Sequence, residues 1–369
     1  MLRFLTAGES HGPGITAILE GMPAGIPVSL EELRHELKRR RWCYGRGGRA
    51  TIEGDVIEVT GGIHKGRTTG APVSIFIPNA DHPNWIGRES PVFAPRPGHA
   101  DLAGAIKYGF TDCRPIAERA SARETAARVA CGYFAKKLLA LGGISIYSWV
   151  TRIGPVSAKL PAADERMYRQ DIVRSLAEAA EKSPVRCPDP DATSQMMSLI
   201  DEAKKAGDTL GGVFEVSATG VPVGLGSHVH WDRRLDTRVT AAVMSIPGVK
   251  AVEIGLGIEA AIKPGSQVHD EILPGEGPIP VRNSNRAGGI EGGISNGEVI
   301  FVRAALKPIP TLQSPLRSVN LSDRTACPAH AERSDVCAVG SAAVVAEAML
   351  ALTLADAWLE RFGEQVNQG

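Results

Sequence analysis

The stretch ERASARET (118–125) opens an alanine-rich helical pattern that runs to Leu141. A second stretch of similar character, ERSDVC (332–337), opens another that runs to Arg361. The second pattern is the most apolar segment of the chain, but Glu347 interrupts it, so we expect a buried core helix and not a membrane span.

The start of the first helix carries two signals at once. Ser121 is an N-cap candidate, and Glu124 three residues later completes a capping box. Arg119 and Arg123 flank the same helix start, and a helix N-terminus beside guanidinium groups is also a site for an anion. Both interpretations hold if the ligand is a phosphate.

Strand and helix patterns occur in groups and do not alternate strictly, which favours an α+β fold over a doubly wound sheet. Further helical patterns cover 30–41, 166–182, 194–206 and 234–244. Strand patterns cover 14–19, 56–60, 73–77, 212–218 and 299–304.

Three pairs of segments recur in the same order along the chain. GESHG at 8–12 is similar to GDTLG at 207–211. GGI at 61–63, followed by Gly66, is similar to GGI at 292–294, followed by Gly297. ERAS at 118–121 is similar to ERSD at 332–335. One hypothesis is an internal duplication, and the other is coincidence among glycine-rich loops.

Composition argues against several functions. The 41 basic residues balance 41 acidic ones, so no net field attracts nucleic acid or membrane. The six cysteines form no C-x-x-C pair, which favours free thiols in a reducing compartment. The N-terminus lacks the apolar core of a signal peptide, so we expect a cytoplasmic protein. Cys327, His330 and Cys337 lie close in sequence but match no familiar zinc spacing, so we expect no metal.

Residues suited to phosphate and proton chemistry fall on loops. His11 lies between glycines, where an imidazole can exchange a proton with a ligand, although a capping role is the alternative. Five arginines lie within 38–49, where bidentate phosphate binding, a solvated helix end and nucleic-acid binding all stay open. RPGHAD at 96–101 offers a second histidine, whose simplest role is a structural contact with its aspartate. The glycine-rich 286–297 and the KPIPT segment 307–311 add backbone and a lysine for a flat or anionic ligand.

Taken as an ordered set, these motifs resemble the chorismate synthase family. The set comprises GESHG (8–12), YGRG (44–47), RPGHAD (96–101), RASARETA (119–126), VEIG (252–255), GGIEGGISNG (288–297), KPIPT (307–311) and ERSDVCAV (332–339). Leu256 and Ile258 depart from the family pattern, where an acidic or small residue and a phenylalanine are common. The departure concerns only packing at the edge of the flavin.

The resemblance implies a reaction and a form for the protein. The reaction is a 1,4-elimination that converts 5-enolpyruvylshikimate 3-phosphate into chorismate and phosphate with reduced FMN, without net redox change. The implied fold is one domain over residues 1–369, a β-α-β sandwich with helices between two antiparallel sheets and pseudo-symmetric halves. The implied assembly is a homotetramer that takes reduced FMN from an outside source such as a flavin reductase, with NADPH as an indirect reductant.

The resemblance also implies roles for individual residues. His11 is expected to protonate the substrate phosphate, His99 to keep the reduced flavin correctly protonated, and Asp335 to assist flavin N5 as base. Substrate-binding residues are expected to be Ser10, Arg46, Arg49, Ser121, Arg123 and Arg333. FMN contacts are expected at Arg119, Ala120, Ser121, Pro247, Gly248, Gly292, Lys307, Pro308, Ile309, Pro310, Thr311 and Arg333. Arg40 and Arg46 match positions assigned to NADPH, although both suit a substrate phosphate equally well.

Two other functions stay open on the sequence. An FMN oxidoreductase with net hydride transfer would use the same ligand and consume NADPH stoichiometrically. An RNA-binding protein would use the arginines between 39 and 49 and would bind RNA in a salt-dependent way without affinity for flavin.

Overall fold

The computed structural model of the chain describes residues 1–47, 56–87, 90–277 and 280–364. The α-helices in these ranges are α1 Leu30–Arg41, α2 Asp101–Tyr108, α3 Arg114–Ala120, α4 Thr125–Leu141, α5 Ala163–Tyr168, α6 Gln170–Lys182, α7 Pro190–Ala206, α8 Leu235–Met244 and α9 Val339–Phe362. The strands are β1 Arg3–Gly8, β2 Gly14–Glu20, β3 Glu58–Gly61, β4 Ile63–His64, β5 Arg67–Thr68, β6 Val73–Pro78, β7 Ser145–Ile153, β8 Val156–Ser157, β9 Gly212–Thr219, β10 Val249–Ile254, β11 Ile272–Leu273, β12 Val281–Arg282, β13 Ile290–Glu291, β14 Ile294–Ser295, β15 Ile300–Leu306, β16 Arg317–Val319 and β17 Ala326–Pro328.

Local sequence explains where several helices begin and end. The Ser29 hydroxyl accepts a hydrogen bond from the Glu32 amide at the start of α1, which has acidic residues in its first turn and basic residues in its last. The predicted start of α7 is wrong by four residues, because Asp189 caps the helix and Pro190 occupies its first position. Arg169 adopts an extended backbone and divides the predicted helix 166–182 into α5 and α6.

The junction between α3 and α4 differs from the predicted capping box. Ser121 accepts a hydrogen bond from the Arg123 amide and starts a short 3-10 turn, Ala122–Glu124, and α4 begins only at Thr125. Glu124 instead accepts hydrogen bonds from Thr6 and Arg128. Contacts with Thr6 of β1 and with Arg128 one turn later therefore replace the predicted capping contact of Glu124.

Two antiparallel sheets carry most of the long strands. One has the order β1-β2-β6-β3, and the other has the order β10-β15-β9-β7-β8. Helix α4 contacts β2 and β6 of the first sheet, α9 contacts β7 and β9 of the second, and α4 and α9 contact each other. The mixture of helices and antiparallel sheets confirms the α+β prediction.

The two sheets share one connectivity. Residues 1–141, here called the first half, run β1, β2, α1, β3, β6, α4, and residues 145–362, the second half, run β7, β9, α8, β10, β15, α9 apart from inserted elements. The corresponding strands are β1 and β7, β2 and β9, β3 and β10, and β6 and β15. The order β1-β2-β6-β3 of the first sheet therefore corresponds to the order β7-β9-β15-β10 in the second sheet.

The predicted pairing of the glycine segments needs one correction. Gly61-Gly62 lies as many residues before β6 as Gly288-Gly289 lies before β15. The counterpart of Gly61-Gly62 is therefore Gly288-Gly289 and not the predicted Gly292-Gly293. The hairpin β4–β5 then matches the hairpin β13–β14. The sequence comparison chose the wrong glycine pair because both pairs are followed by isoleucine.

Helix α9 is the central helix of the core. By length and composition it could cross a membrane, but 83% of its apolar window is buried inside the protein. It packs beside α4 at Gly132, where an added Cβ would lie 2.3 Å from Cβ of Ala348. The prediction of a core helix is therefore confirmed by its surroundings.

Candidate active site

One cavity of about 410 Å³ collects most of the residues singled out by the sequence. Its wall is formed by the loop after β1, the end of α1 with the following loop, the 96–100 loop, the α3–α4 junction, the turn before β10, the segment after β15 and the segment before α9. The predicted residues on its wall are Ser10, His11, Arg40, Arg46, His99, Ala120, Ser121, Arg123, Pro247, Gly248, Lys307, Pro308, Ile309, Pro310, Thr311, Arg333 and Asp335.

Two of the predicted residues that the structure describes are not on this wall. The Arg119 guanidinium turns back over β1, where it donates hydrogen bonds to the Thr6 carbonyl at 2.8 Å and the Thr6 hydroxyl at 2.7 Å. Gly292 lies in the turn of the β13–β14 hairpin and not on the cavity. Arg49 lies outside the residues that the structure describes. The flavin contacts expected of Arg119 and Gly292 therefore have no support from this cavity.

His11 is held by a carboxylate from helix α3. Its Nδ1 lies 2.6 Å from Oε1 of Glu118, and its backbone amide donates to Oε2 at 2.7 Å. Burial raises the pKa of Glu118, but the hydrogen bonds from His11 and the charge of Arg114 lower it more, so the net shift is downward. An ionised Glu118 accepts the Nδ1 proton, so Nε2 is the ring atom suited to exchange a proton with a ligand.

Trp85 fixes the other side of the same imidazole. The ring centroids of His11 and Trp85 are 3.7 Å apart, with the planes tilted by 37°. The Trp85 Nε1 donates to Asp81 at 3.1 Å, which holds the indole in turn. Sequence reasoning missed both Glu118 and Trp85 as partners of His11, because 107 residues separate His11 from Glu118 and no local pattern links them.

His99 has a corresponding arrangement within its own loop. Its Nδ1 lies 2.5 Å from Oδ1 of Asp101, a fully buried carboxylate that also accepts from Arg96 Nε at 2.8 Å. Burial raises the pKa of Asp101, but the hydrogen bonds from His99 and Arg96 hold it well below its usual range. The structural contact expected between His99 and Asp101 is thus present, and it coexists with exposure of His99 to the cavity.

Arg96 is a further residue of the cavity that sequence reasoning did not single out. It is buried on the cavity wall, and its guanidinium joins Asp101 to the Thr311 hydroxyl, to which it donates at 2.9 Å. The RPGHAD motif contained the signal, since an arginine, a histidine and an aspartate within six residues can form one network.

Asp335 faces the predicted arginine loop. Arg46 donates to Oδ2 of Asp335 at 2.6 Å, and the Gly47 amide donates to Oδ1 at 2.7 Å. Within the described part of the chain, the buried Nε of Arg46 has no hydrogen-bond partner. Among the same residues, the exposed Arg333 forms neither a hydrogen bond nor an ion pair. These guanidinium groups retain capacity for an anionic ligand.

Lys307 and Arg40 complete the basic wall. Lys307 donates to the Gly98 carbonyl, and burial, followed by the charge of Lys250, lowers the pKa of its ammonium group. Arg40 is buried and donates to the Thr125 hydroxyl at 2.9 Å and the Ala122 carbonyl at 3.1 Å. Arg40 therefore joins the end of α1 to the start of α4 at the cavity.

Metal binding finds no geometric support in the described ranges, which contain no group of three or more histidine, cysteine, aspartate or glutamate side chains placed to hold an ion. The six cysteines are free thiols. Leu256 is buried away from the cavity and Ile258 is 73% exposed, so neither departure from the family pattern touches the wall described above.

The fold and the cavity together define a class of protein: an α+β protein whose cavity is lined by arginines and two carboxylate-bound imidazoles. Residues 2–359 match the family model described as chorismate synthase. Relatives named chorismate synthase include that of Aquifex aeolicus, 53% identical over 98% of this chain and 94% of the relative. Another, from Prosthecochloris aestuarii, is 52% identical over 98% of this chain and 94% of the relative.

A solved structure described as the crystal structure of chorismate synthase agrees with these relatives. Its TM-score is 0.81 at 46% identity, covering 98% of this chain and 92% of that chain. The chain belongs to the chorismate synthase family. It is therefore an enzyme, a lyase, and its family supports the chorismate-forming step of the shikimate pathway.

Proposed function

We propose that the cavity converts 5-enolpyruvylshikimate 3-phosphate into chorismate and phosphate by a 1,4-elimination that requires reduced FMN. One observation carries the proposal: Arg40, Arg46, Arg123 and Arg333 share a wall with two imidazoles whose Nδ1 atoms are bound by carboxylates. The reaction breaks a carbon–oxygen bond, with phosphate leaving as an anion, and a carbon–hydrogen bond of the ring. Preorganised cations stabilise the charge that develops on phosphate.

The residues of the wall suit the cofactor. A volume of about 410 Å³ lies in the range of sites for cofactor-sized ligands. The unsatisfied Nε of Arg46 and the uncommitted guanidinium of Arg333 suit a phosphate group, and the 307–311 segment with Pro247 and Gly248 offers a mostly apolar surface for a ring system. When bound, reduced FMN supplies electron density that helps phosphate leave and is recovered as the ring hydrogen departs.

The histidines take separate roles in this proposal. His11, with Nδ1 committed to Glu118, presents Nε2 to protonate the departing phosphate. His99, with Nδ1 committed to Asp101, holds a proton near the reduced cofactor. Asp335 accepts hydrogen bonds from Arg46 and Gly47, and we propose that it assists removal of the ring hydrogen.

The remaining features of the proposal concern supply and assembly. Reduced FMN comes from an outside source such as a flavin reductase, and NADPH is at most an indirect reductant bound at Arg40 and Arg46. The protein is a cytoplasmic homotetramer, and each chain is one domain whose helices lie between two sheets in a pseudo-symmetric sandwich. The repeated strand order and the contacts of α4 and α9 support the sandwich and an internal duplication.

An anaerobic assay tests the reaction. Purified protein, 5-enolpyruvylshikimate 3-phosphate and dithionite-reduced FMN should release phosphate and form chorismate, and oxidised FMN should support neither. Stoichiometric consumption of NADPH would instead identify an oxidoreductase with net hydride transfer. Turnover that is unaffected by oxidation of the flavin would contradict the proposal.

The roles of His11 and Asp335 are tested in the same assay. His11→Ala and Asp335→Asn should each lower turnover by roughly a hundredfold or more, the usual scale for loss of a proton-transfer group. His64, an exposed histidine of the β4–β5 hairpin, gives the matched control, and His64→Ala should retain the wild-type rate. A wild-type rate for either cavity variant would remove that residue from its role.

A further inference from the structure

One guanidinium behind the cavity joins the carboxylates that stand at corresponding places in the two halves. Arg114 is the first residue of α3. Its Nη1 lies 2.5 Å from Oε1 of Glu332 and 3.5 Å from Oε1 of Glu118. Glu118 precedes α4 by the same seven residues as Glu332 precedes α9. Both carboxylates reach the cavity wall, but Arg114 does not.

Each of these carboxylates also holds a histidine. Glu118 binds His11 at 2.6 Å, and Glu332 binds Nε2 of His330 at 2.7 Å. Burial raises the pKa of Glu332, but His330 and Arg114 lower it to about 2, so Glu332 and Glu118 are both anionic at neutral pH. The charge of Arg114, which pairs with both carboxylates, offsets the repulsion between these two anions.

Arg114 is itself fixed on several sides. Its Nε donates to the Ser90 carbonyl at 3.2 Å, its backbone amide donates to Asp112 at 2.8 Å, and its guanidinium carbon lies 5.9 Å from the ring of Trp85. Trp85 is the ring that packs against His11. Arg114 therefore contacts both groups that determine the orientation of the His11 imidazole.

We propose that Arg114 is a positioning residue for the reaction: through Glu118 and Trp85 it keeps His11 aimed into the cavity, and through Glu332 it keeps the segment with Arg333 and Asp335 in register with His11. This inference rests on the proposed function for its catalytic consequence. A displacement of about 1 Å at a catalytic group can lower a rate by up to about a hundredfold. A residue that never touches the substrate can therefore affect the rate strongly.

Kinetics of Arg114 variants test the proposal against a purely structural role. Arg114→Gln should lower kcat roughly tenfold with KM changed less than about twofold, because binding groups stay while alignment is lost. Arg114→Lys should recover part of kcat, since it keeps the charge but not the fork. Arg128→Gln is the matched control: Arg128 forms a similarly buried pair with Glu124 four residues earlier, away from the cavity wall, and should keep the wild-type kcat. Equal kinetics for Arg114→Gln and Arg128→Gln would overturn the proposal.

A double-mutant cycle shows whether Arg114 acts through Glu118. Once Glu118→Gln has released His11, the further change Arg114→Gln should lower kcat by less than it does in the wild-type protein, because only the contacts with Trp85 and Glu332 remain to be lost. Losses that simply multiply would mean that Arg114 does not act through Glu118, and the proposal would fail. If Arg114→Gln does not fold, the same cycle with Arg114→Lys decides the matter.

A measurement without ligand separates this inference from the proposed function. Acrylamide quenching assigned to Trp85, by difference from Trp85→Phe, should increase in Arg114→Gln because the packing against His11 loosens. Unchanged quenching would contradict the positioning role even if wild-type protein releases phosphate. Increased quenching in a protein that forms no chorismate would instead leave the arrangement supported and refute the proposed reaction.

Discussion

At the residue scale, the cavity histidines gain direction from charged neighbours, which lie on helix α3 for His11 and within its own loop for His99. Glu118 and Asp101 bind the Nδ1 atoms of His11 and His99, and Arg114 and Arg96 hold those carboxylates in turn. Each histidine thus belongs to a chain of three groups in which a guanidinium supports the carboxylate. Second-layer groups of this kind decide which ring nitrogen faces a ligand.

A residue-scale prediction concerns the two hairpin turns. Lys65 and Gly66 have φ of 46° and 72°, and Gly292 and Gly293 have φ of 58° and 88° in the matching turn. A non-glycine residue in this conformation destabilises the folded state by about 1–2 kcal/mol. Glycine removes this strain, but its greater conformational freedom in the unfolded chain offsets part of the gain. Lys65→Gly should therefore raise the free energy of unfolding by about 0.5–1 kcal/mol, as measured by urea denaturation.

The neighbouring residue gives the control for this turn. His64 does not have positive φ, so His64→Gly should lower the free energy of unfolding by about 0.5–1 kcal/mol. Destabilisation by Lys65→Gly would show that the side chain of Lys65 contributes more than the backbone conformation costs.

At the element scale, the close approach of α4 and α9 determines how the two sheets meet. Both helices are rich in alanine, and Gly132 of α4 lies directly against Ala348 of α9. Small residues at a crossing let two helix backbones approach, as ridges of one helix enter grooves of the other. The alanine-rich composition of both helices is therefore a packing requirement.

This crossing yields a prediction for Gly132→Ala. Alanine favours an exposed helix, but here the added methyl group would overlap Ala348, and overpacking costs about 1–3 kcal/mol. We expect a lower free energy of unfolding and a lower Tm. The double variant Gly132→Ala, Ala348→Gly should recover part of the loss, and an additive double variant would show that the contact is not responsible.

At the scale of the whole molecule, a buried ionic network ties the two halves together. Glu347 of α9 is 1% exposed and binds Arg39 of α1, Lys136 of α4 and Arg186. It also accepts a hydrogen bond from Ser148 of β7 at 2.6 Å. Glu347 therefore joins α1 and α4 of the first half to β7 and the Arg186 loop of the second.

The network predicts a large effect of one uncharged substitution. Glu347→Gln leaves the buried Arg186 and the partly buried Arg39 and Lys136 without their shared carboxylate, and loss of one partner of a buried pair costs about 3–5 kcal/mol. Urea denaturation at pH 7 should show a decrease of this size. Glu360 is the matched control on the same helix: its own side chain is exposed in its pair with Arg238, so Glu360→Gln should cost at most about 1 kcal/mol.

The pH dependence of the same variant gives a further check. Burial raises the pKa of Glu347, but Arg39 and Lys136 hold it well below its usual range. The stabilisation is therefore present above the unfolded-state pKa and is lost as the pH falls toward the folded-state pKa. Glu347→Gln should consequently lose less stability than the wild type on acidification, and parallel pH profiles would contradict this account.

The sequence by itself determined the residue types of the cavity and the elements with strong local signals. Helix α1 begins and ends as predicted, and the motifs around His11, His99 and Lys307 all reach one wall. Alternating apolar residues, capping residues and short motifs are local, so they can be recognised in one chain. The predicted set of elements did not include β1, β7 and β10, where competing tertiary contacts decide the conformation.

Only the tertiary structure decided which groups meet across long separations. It paired His11 with Glu118, placed Arg114 between Glu118 and Glu332, turned Arg119 away from the cavity and matched Gly61 with Gly288. Such contacts depend on how two sheets and two helices pack, and side-chain direction follows from that packing and not from neighbouring residues. A sequence can therefore supply the chemistry of a site while the fold assigns each group its partner.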